Sequence, residues 1–234
     1  MGKRDPAQAG GRRESMDTAL WAVRLDRRLT EAEIETLAAG LPPFWRERAM
    51  ARRGLARQEA LCAYALLQEA LWEVAGWPHL PETALTARGK PWFPAHPEVH
   101  FSLSHTRGAA LAAVAGEPVG VDVEQLRPLQ WPRLQARLGT DRTETEFFRL
   151  WVRREARAKR RGQGLGALLG PEPPWEAGEV CTPLEIFPGY DAALAAGGAP
   201  SVIHRRSLEE LVQAVSACPE RAAIRQGTAQ KGTW

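Results

Sequence analysis

The residues best placed to do chemistry begin with Val119-Gly-Val-Asp-Val-Glu124. Alternation along an extended chain sends the valines to one face and Asp122 and Glu124 to the other, about 6.6 Å apart along the strand. Neighbouring carboxylates repel unless a cation or a proton intervenes. Oxygen ligands that leave positions for water and phosphate suit Mg2+. A solvated strand face is the plainer alternative. The segment Trp151-Val-Arg-Arg-Glu-Ala-Arg-Ala-Lys-Arg-Arg161 adds to the case. At about 100° per residue, Glu155 and Lys159 fall beside Trp151 and Val152. Arg153, Arg154, Arg157, Arg160 and Arg161 share the opposite face. An ionised pair on the apolar side needs a partner, so Glu155 and Lys159 read as functional. Arg88-Gly89-Lys90-Pro91 sets two cations around a flexible glycine before a rigid proline, an arrangement able to clamp phosphate. Ser102-Leu-Ser104-His105 brings an imidazole to a strand end. No Gly-x-Ser-x-Gly nucleophile signature occurs, and Gly162-Gln-Gly164 is too short for a phosphate loop.

Several elements must hold these residues. Thr18 to Leu25 reads as a first strand. Thr30-Glu-Ala-Glu33 is a capping box opening a helix that closes near Gly40. Long helical stretches follow from Phe44 to Val74, stopped by Gly76-Trp-Pro78, and residues 86–98 form a loop punctuated by Pro and Gly. Val99, Phe101 and Leu103 alternate with His100, Ser102 and Ser104. Ala109 to Ala115 returns, and 119–124 completes an expected three-stranded meander. Thr143 to Arg161 is helical, 171–178 is loop, Ser201 to Arg205 is a strand, and Ser207 to Ala217 is a helix capped by Glu210. This order predicts two similar α+β halves, at 17–116 and at 117–217, the second carrying the metal site. Tails at 1–16, which is basic, and 218–234 are expected to be disordered.

The 234-residue chain is 44% hydrophobic and 25% charged, which excludes wholesale disorder. No apolar run approaches the ~18 residues of a membrane helix, and Met1 to Ser15 lacks the apolar stretch of a secretory signal. Cys62, Cys181 and Cys218 show neither metal nor disulfide spacing. A cytoplasmic protein that does not engage membranes is the expectation. The net charge is +3, yet residues 46–57 hold five arginines against Glu47 and residues 151–162 hold six basic residues against Glu155. Local basic patches on an otherwise acidic chain point to a polyanionic ligand more than to a coat for nucleic acid.

Arg-Gly-Lys-Pro-Trp-Phe (88–93), Phe-Ser-Leu-Ser-His (101–105), Val-Gly-Val-Asp-Val-Glu (119–124) and Trp-x-x-x-Glu-Ala-x-x-Lys-x-x-Gly-x-Gly-Leu (151–165) stand in order and at compatible spacing. Together they resemble the motifs of Sfp-type 4'-phosphopantetheinyl transferases, loosely from Thr18 to about Ala214. The resemblance implies two α/β halves related by a pseudo-twofold, with coenzyme A in the cleft between them, and a monomer. By position, Asp122, Glu124 and Glu155 would bind Mg2+. His105, Ser104 and Lys159 would contact the phosphates of coenzyme A, and Arg88, Gly89, Lys90 and Pro91 would hold its nucleotide end. The family's Lys before the helix glutamate is Arg154 here, and the residue two positions after that glutamate is Arg157. The family's Asp-x-x-Arg reads Ala56-Arg-Gln-Glu59, so Arg53 or Arg57 is expected to replace the missing phosphate contact.

The activity so implied is transfer of 4'-phosphopantetheine from coenzyme A to a serine of an apo acyl or peptidyl carrier protein, releasing adenosine 3',5'-bisphosphate. Catalytic roles would fall to Glu155, Lys159 and His105. The competing classes are a Mg2+-dependent nuclease, an Arg-rich RNA-binding protein and a catalytically impaired family member. The arginine face of 151–161 is expected to point away from the cleft, towards solvent or an acidic carrier protein.

Overall fold

The computed structural model describes residues 16–128, 143–164 and 172–217. The two tails (apart from Met16), Cys218 and Leu165 lie outside them. In chain order the described elements are β1 (Ala19–Arg24), α1 (Glu31–Ala39), α2 (Pro43–Met50), α3 (Gly54–Ala75), β2 (Ala84–Leu85), β3 (Pro91–Trp92), β4 (His100–Thr106), β5 (Ala109–Ala115) and β6 (Gly120–Gln125). After these come α4 (Glu144–Arg160), β7 (Val180–Leu184), β8 (Tyr190–Ala196), β9 (Val202–Arg206) and α5 (Leu208–Ala217). The fold class is mixed α+β.

Local chemistry accounts for the helix ends. Thr30 with Glu33, and Thr143 with Glu146, form reciprocal capping boxes that open α1 and α4. Gly76 closes α3 in the left-handed region at φ 67°, where a side chain is disfavoured.

A four-stranded sheet runs β4-β5-β1-β9, and a three-stranded sheet runs β6-β8-β7. β1 is buried on both faces: Trp21 and Val23 pack towards α3, while Leu20 and Ala22 meet Val119, Val121 and Val123 of the second sheet. Small residues in β5 let both layers approach, because Ala110 and Ala112 face the helices while Ala109 and Ala113 face the second sheet. The order is therefore helix, sheet, sheet, helix, with α3 on one outside and α4 on the other.

Two expectations are corrected. β6 does not extend a meander with β5 but pairs antiparallel with β8 in the other sheet, register Asp122 to Ala193. Residues 202–217, placed by sequence in the second half, return to the first sheet, where β9 pairs parallel with β1. A strand order that skips along the chain cannot be read from periodicity. β7 and β8 carry weak local signals, since Pro183 interrupts one and the other is rich in alanine.

Gly120 sets the seat of α4. A Cβ built there would lie 2.0 Å from the Ala156 carbonyl oxygen and 2.3 Å from the Arg160 backbone nitrogen. Gly120→Ala is expected to push α4 off β6 at a cost of about 3 kcal/mol. In a domain of this size that lowers the melting temperature by about 6–12 °C. A change below 2 °C would show that the helix seats elsewhere.

The arginine face of α4 does not point to solvent. The Arg157 side chain is 1% exposed and donates to Glu179 at 2.8 Å, to Glu172 at 2.6 Å and to the carbonyls of Pro173 and Pro174. Its guanidinium also lies 3.7 Å from the Trp175 ring centroid. Arg161 joins Glu179, Arg153 joins Glu172 and Arg160 joins Glu176. The Pro- and Glu-rich segment 172–179 thus covers Arg157, Arg160 and Arg161, whose charge holds this loop in place, while Arg153 stays 42% exposed.

Candidate functional site

The edges β4 and β6 meet through side chains. Ser102 Oγ accepts from the Val121 N–H at 3.0 Å, and Ser104 Oγ accepts from the Val123 N–H at 3.2 Å. Ser104 donates to Asp122 Oδ1 at 2.7 Å, and Thr106 donates to Glu124 Oε2 at 3.1 Å. Every second residue of β4 therefore bonds to β6, as the period of a strand requires. The resemblance puts Ser104 on the phosphates of coenzyme A, and this bonding of the Ser-x-Ser run to β6 is not visible in periodicity.

α4 completes the cluster. Lys159 Nζ donates to Asp122 Oδ1 at 2.7 Å and to Ser104 Oγ at 3.0 Å, and lies 3.5 Å from Glu155 Oε1. The Ser104 hydroxyl, with one donor and two acceptor sites, is now filled. It orients Asp122 and has no capacity left for a ligand. Asp122 itself is 2% exposed rather than lying on a solvated strand face. Burial pushes its carboxyl above the usual carboxylate range, the nearby Glu155 charge adds to this, and Lys159 opposes it. Burial also works against the charge on Lys159, but Asp122 and Glu155 more than offset it and hold the ammonium above its ordinary value. The ammonium is the stably charged member, and Asp122 is the group short of compensation, because its Oδ2 is buried without a hydrogen-bond partner. Burial likewise raises Glu124, with Thr106 and Arg127 opposing.

The donor set towards Mg2+ is all oxygen, and the orphaned Asp122 Oδ2 is a ready ligand atom, so the residues fit such an ion in kind. Among the described residues, however, no three His, Cys, Asp or Glu side chains are gathered closely enough to hold a metal. Lys159 stands between Asp122 and Glu155.

A cavity of about 280 Å3 opens beside Lys159, and Arg48, Arg52, Arg88, Lys90 and His105 converge on its walls around Trp45 and Tyr64. It adjoins one of about 510 Å3 across the β2–β3 hairpin, to which Arg88, Lys90, Trp92 and Arg160 also contribute. A larger cavity, about 770 Å3, lies between α4 and the β7–β8 turn and offers, among the described residues, only Arg149 and Arg153 as cations. Charge complementarity to a polyanion selects the first two.

The hairpin arrives as expected, with Gly89 at φ 83° in its turn. Lys90 is a partial departure. Its ammonium donates to the carbonyls of Val119 at 3.0 Å and Arg160 at 3.1 Å, stapling the start of β6 to the C-terminal end of α4. Burial, with the Arg160 charge adding, brings it down to about 8. One of its three donors remains for a ligand. Arg88 and Gly89 line the smaller cavity with Pro91.

His105 sits with Nδ1 3.6 Å from Glu59 and Nε2 3.4 Å from Arg52. Neither Arg53 nor Arg57 takes the place of the missing arginine among the residues lining these cavities. Arg53 is the exposed residue preceding α3, and Arg57 Nε donates to the Arg52 carbonyl at 2.9 Å. Arg52 turns inward instead. The arginine-rich composition of 46–57 signalled a cationic wall but not which member forms it.

Thiol chemistry is disfavoured at the cysteines described. Burial pushes the Cys62 thiol up to about 12 and the Cys181 thiol up to about 11. Among the described residues no helix is long and apolar enough to cross a membrane.

No family model matches the chain. It is 34% identical over 145 residues to the 4'-phosphopantetheinyl transferase AcpT of Salmonella typhi, covering 56% of this chain and 71% of that protein. To a 4'-phosphopantetheinyl transferase of Bacillus subtilis it is 28% identical over 166 residues, 64% of this chain and 73% of the relative. To the 4'-phosphopantetheinyl transferase Sfp of Bacillus subtilis (strain 168) it is 29% identical over 93 residues, a match spanning 35% of this chain and 41% of that protein.

Proposed function

Since the chain belongs to the 4'-phosphopantetheinyl transferase family, we propose that it moves 4'-phosphopantetheine from coenzyme A to a serine of an apo acyl or peptidyl carrier protein. The observation that carries this reading is the Asp122–Lys159–Glu155 cluster, set beside a cavity walled by Arg48, Arg52, Arg88 and His105. The cations would hold the pyrophosphate and the 3'-phosphate of coenzyme A. The serine oxygen would attack the phosphorus that carries pantetheine, and the bond from that phosphorus to the leaving phosphate would break. Adenosine 3',5'-bisphosphate departs, and the serine proton passes to Glu155, a half-buried carboxylate 3.5 Å from Lys159. Lys159 would stabilise charge on the phosphoryl oxygens as it develops.

By the family resemblance Asp122, Glu124 and Glu155 would hold Mg2+ only with Lys159 withdrawn from between Asp122 and Glu155; the ion, when bound, would supply further neutralisation of phosphate charge. Ser104 positions Asp122, and Lys90 positions the end of α4. We read the chain as a cytoplasmic monomer whose two sheets form a pseudo-twofold pair, acting on a protein and a nucleotide cofactor and engaging neither nucleic acid nor membrane.

The test incubates the protein with Mg2+, coenzyme A and an apo carrier protein and follows intact carrier mass. Gain of one phosphopantetheine is expected. Degradation of added DNA or RNA with no mass gain would establish the nuclease alternative instead. Glu155→Gln is expected to lower transfer about a hundredfold while the Kd for coenzyme A stays within threefold. Near-normal turnover in that variant would remove Glu155 from the reaction.

A further inference from the structure

Glu59 is out of character with its surroundings. It is 7% exposed on α3 and sits behind His105, which lines a cavity whose charged walls are cationic. A carboxylate there repels any polyanion. It faces His105, with Nδ1 3.6 Å from Glu59 Oε2. On the far side of the same ring, Nε2 faces an N–H of Arg52 at 3.4 Å. A carboxylate only accepts and a guanidinium only donates. The two neighbours therefore specify one ring state, with the proton on Nδ1 towards Glu59 and the lone pair of Nε2 towards Arg52.

From this geometry we infer that Glu59 is a positioning residue, acting through His105 to aim Arg52 into the anion cavity. The inference rests on the coenzyme A reading above. Glu59 fixes the tautomer and plane of His105. His105 Nε2 in turn holds one N–H of Arg52, while Arg57 donates to the Arg52 carbonyl and fixes the backbone beneath it. The Arg52 guanidinium is thus oriented before a phosphate arrives, which removes part of the ordering cost of binding. This arrangement gives Arg52 the role of anchoring guanidinium, and it gives a use to a carboxylate that electrostatics alone would keep away from the cavity.

The sign of one substitution separates the positioning role from plain electrostatics. Glu59→Met removes a negative charge from behind a cationic cavity, so electrostatics alone makes coenzyme A bind more tightly. Positioning makes it bind about tenfold more weakly, and Glu59→Gln, which keeps an oxygen acceptor, restores Kd to within threefold of wild type. In a cycle with His105→Ala, the Glu59→Met effect is expected to vanish, because the ring it acts through is gone. Calorimetry with coenzyme A and with adenosine 3',5'-bisphosphate measures all four affinities. Tighter binding by Glu59→Met, or additive effects in the cycle, overturns the assignment.

Failure of the wild type to bind either nucleotide overturns the proposed function instead. The Glu59 assignment then stands or falls on the ring nitrogen shifts of His105 at pH 8.5. The Nδ1–H form is expected in wild type and the Nε2–H form in Glu59→Met. The same form in both proteins overturns it.

Discussion

Asp122→Asn is expected to lower phosphopantetheinyl transfer by about 10²–10³-fold while the fold survives. The side chain is 2% exposed and is held by Ser104 and Lys159 at 2.7 Å each, so an isosteric amide keeps the packing and one acceptor. It loses the charge that balances Lys159 and the buried Oδ2 that suits a cation. Lys159 keeps Ser104 and Glu155 as partners, so the loss of stability is modest beside the loss of rate. Steady-state transfer at saturating coenzyme A, with a thermal melt on the same sample, separates the two effects. Turnover within threefold of wild type would refute the assignment of Asp122 to the reacting centre.

Arg157→Leu is expected to produce the largest loss of stability, about 3–5 kcal/mol, since it removes the Arg157 hydrogen bonds from buried Glu179, leaving Arg161 and the Glu176 N–H, and releases Glu172. The companion effect is a pH dependence. Burial alone would raise the Glu179 carboxyl, but the hydrogen bonds from Arg157, the Glu176 N–H and Arg161 hold it at about 2. A depressed carboxylate stabilises the fold above its unfolded value near 4.5, and that stabilisation is lost as pH falls towards 2. For wild type the loss over this window amounts to about 3 kcal/mol from this one group. Urea unfolding midpoints between pH 5 and pH 2.5 measure it, and Arg157→Leu is expected to flatten the slope. An unchanged slope would mean that the 172–179 segment is not held by this ion pair.

Much of the site was legible in the sequence because its signals are local. The alternation in 119–124 placed Asp122 and Glu124 opposite the valines, and the helical wheel of 151–161 brought Glu155 and Lys159 together, now 3.5 Å apart. Capping boxes four residues long announced α1 and α5, and Gly89 announced its turn. Each of these rests on contacts between residues at most a turn or a strand repeat apart.

What the tertiary structure alone decided involves partners far apart in the chain. Lys159 meets Ser104 across 55 positions, Lys90 meets Arg160 across 70, and His105 meets Arg52 across 53. No propensity or periodicity couples such pairs. The choice of Arg52 over Arg53 and Arg57 follows from how the break before Gly54 turns the chain against β4. Whether an arginine-rich helix face meets water or a glutamate-rich loop depends on where 172–179 lands. The pairing of β6 with β8 and the return of β9 to β1 follow from burying both faces of alanine-rich strands between two layers, a condition that exists only once the layers are assembled. Residue types and local periods thus named the candidate groups, and long-range packing determined which of them line the cavity and which hold the scaffold.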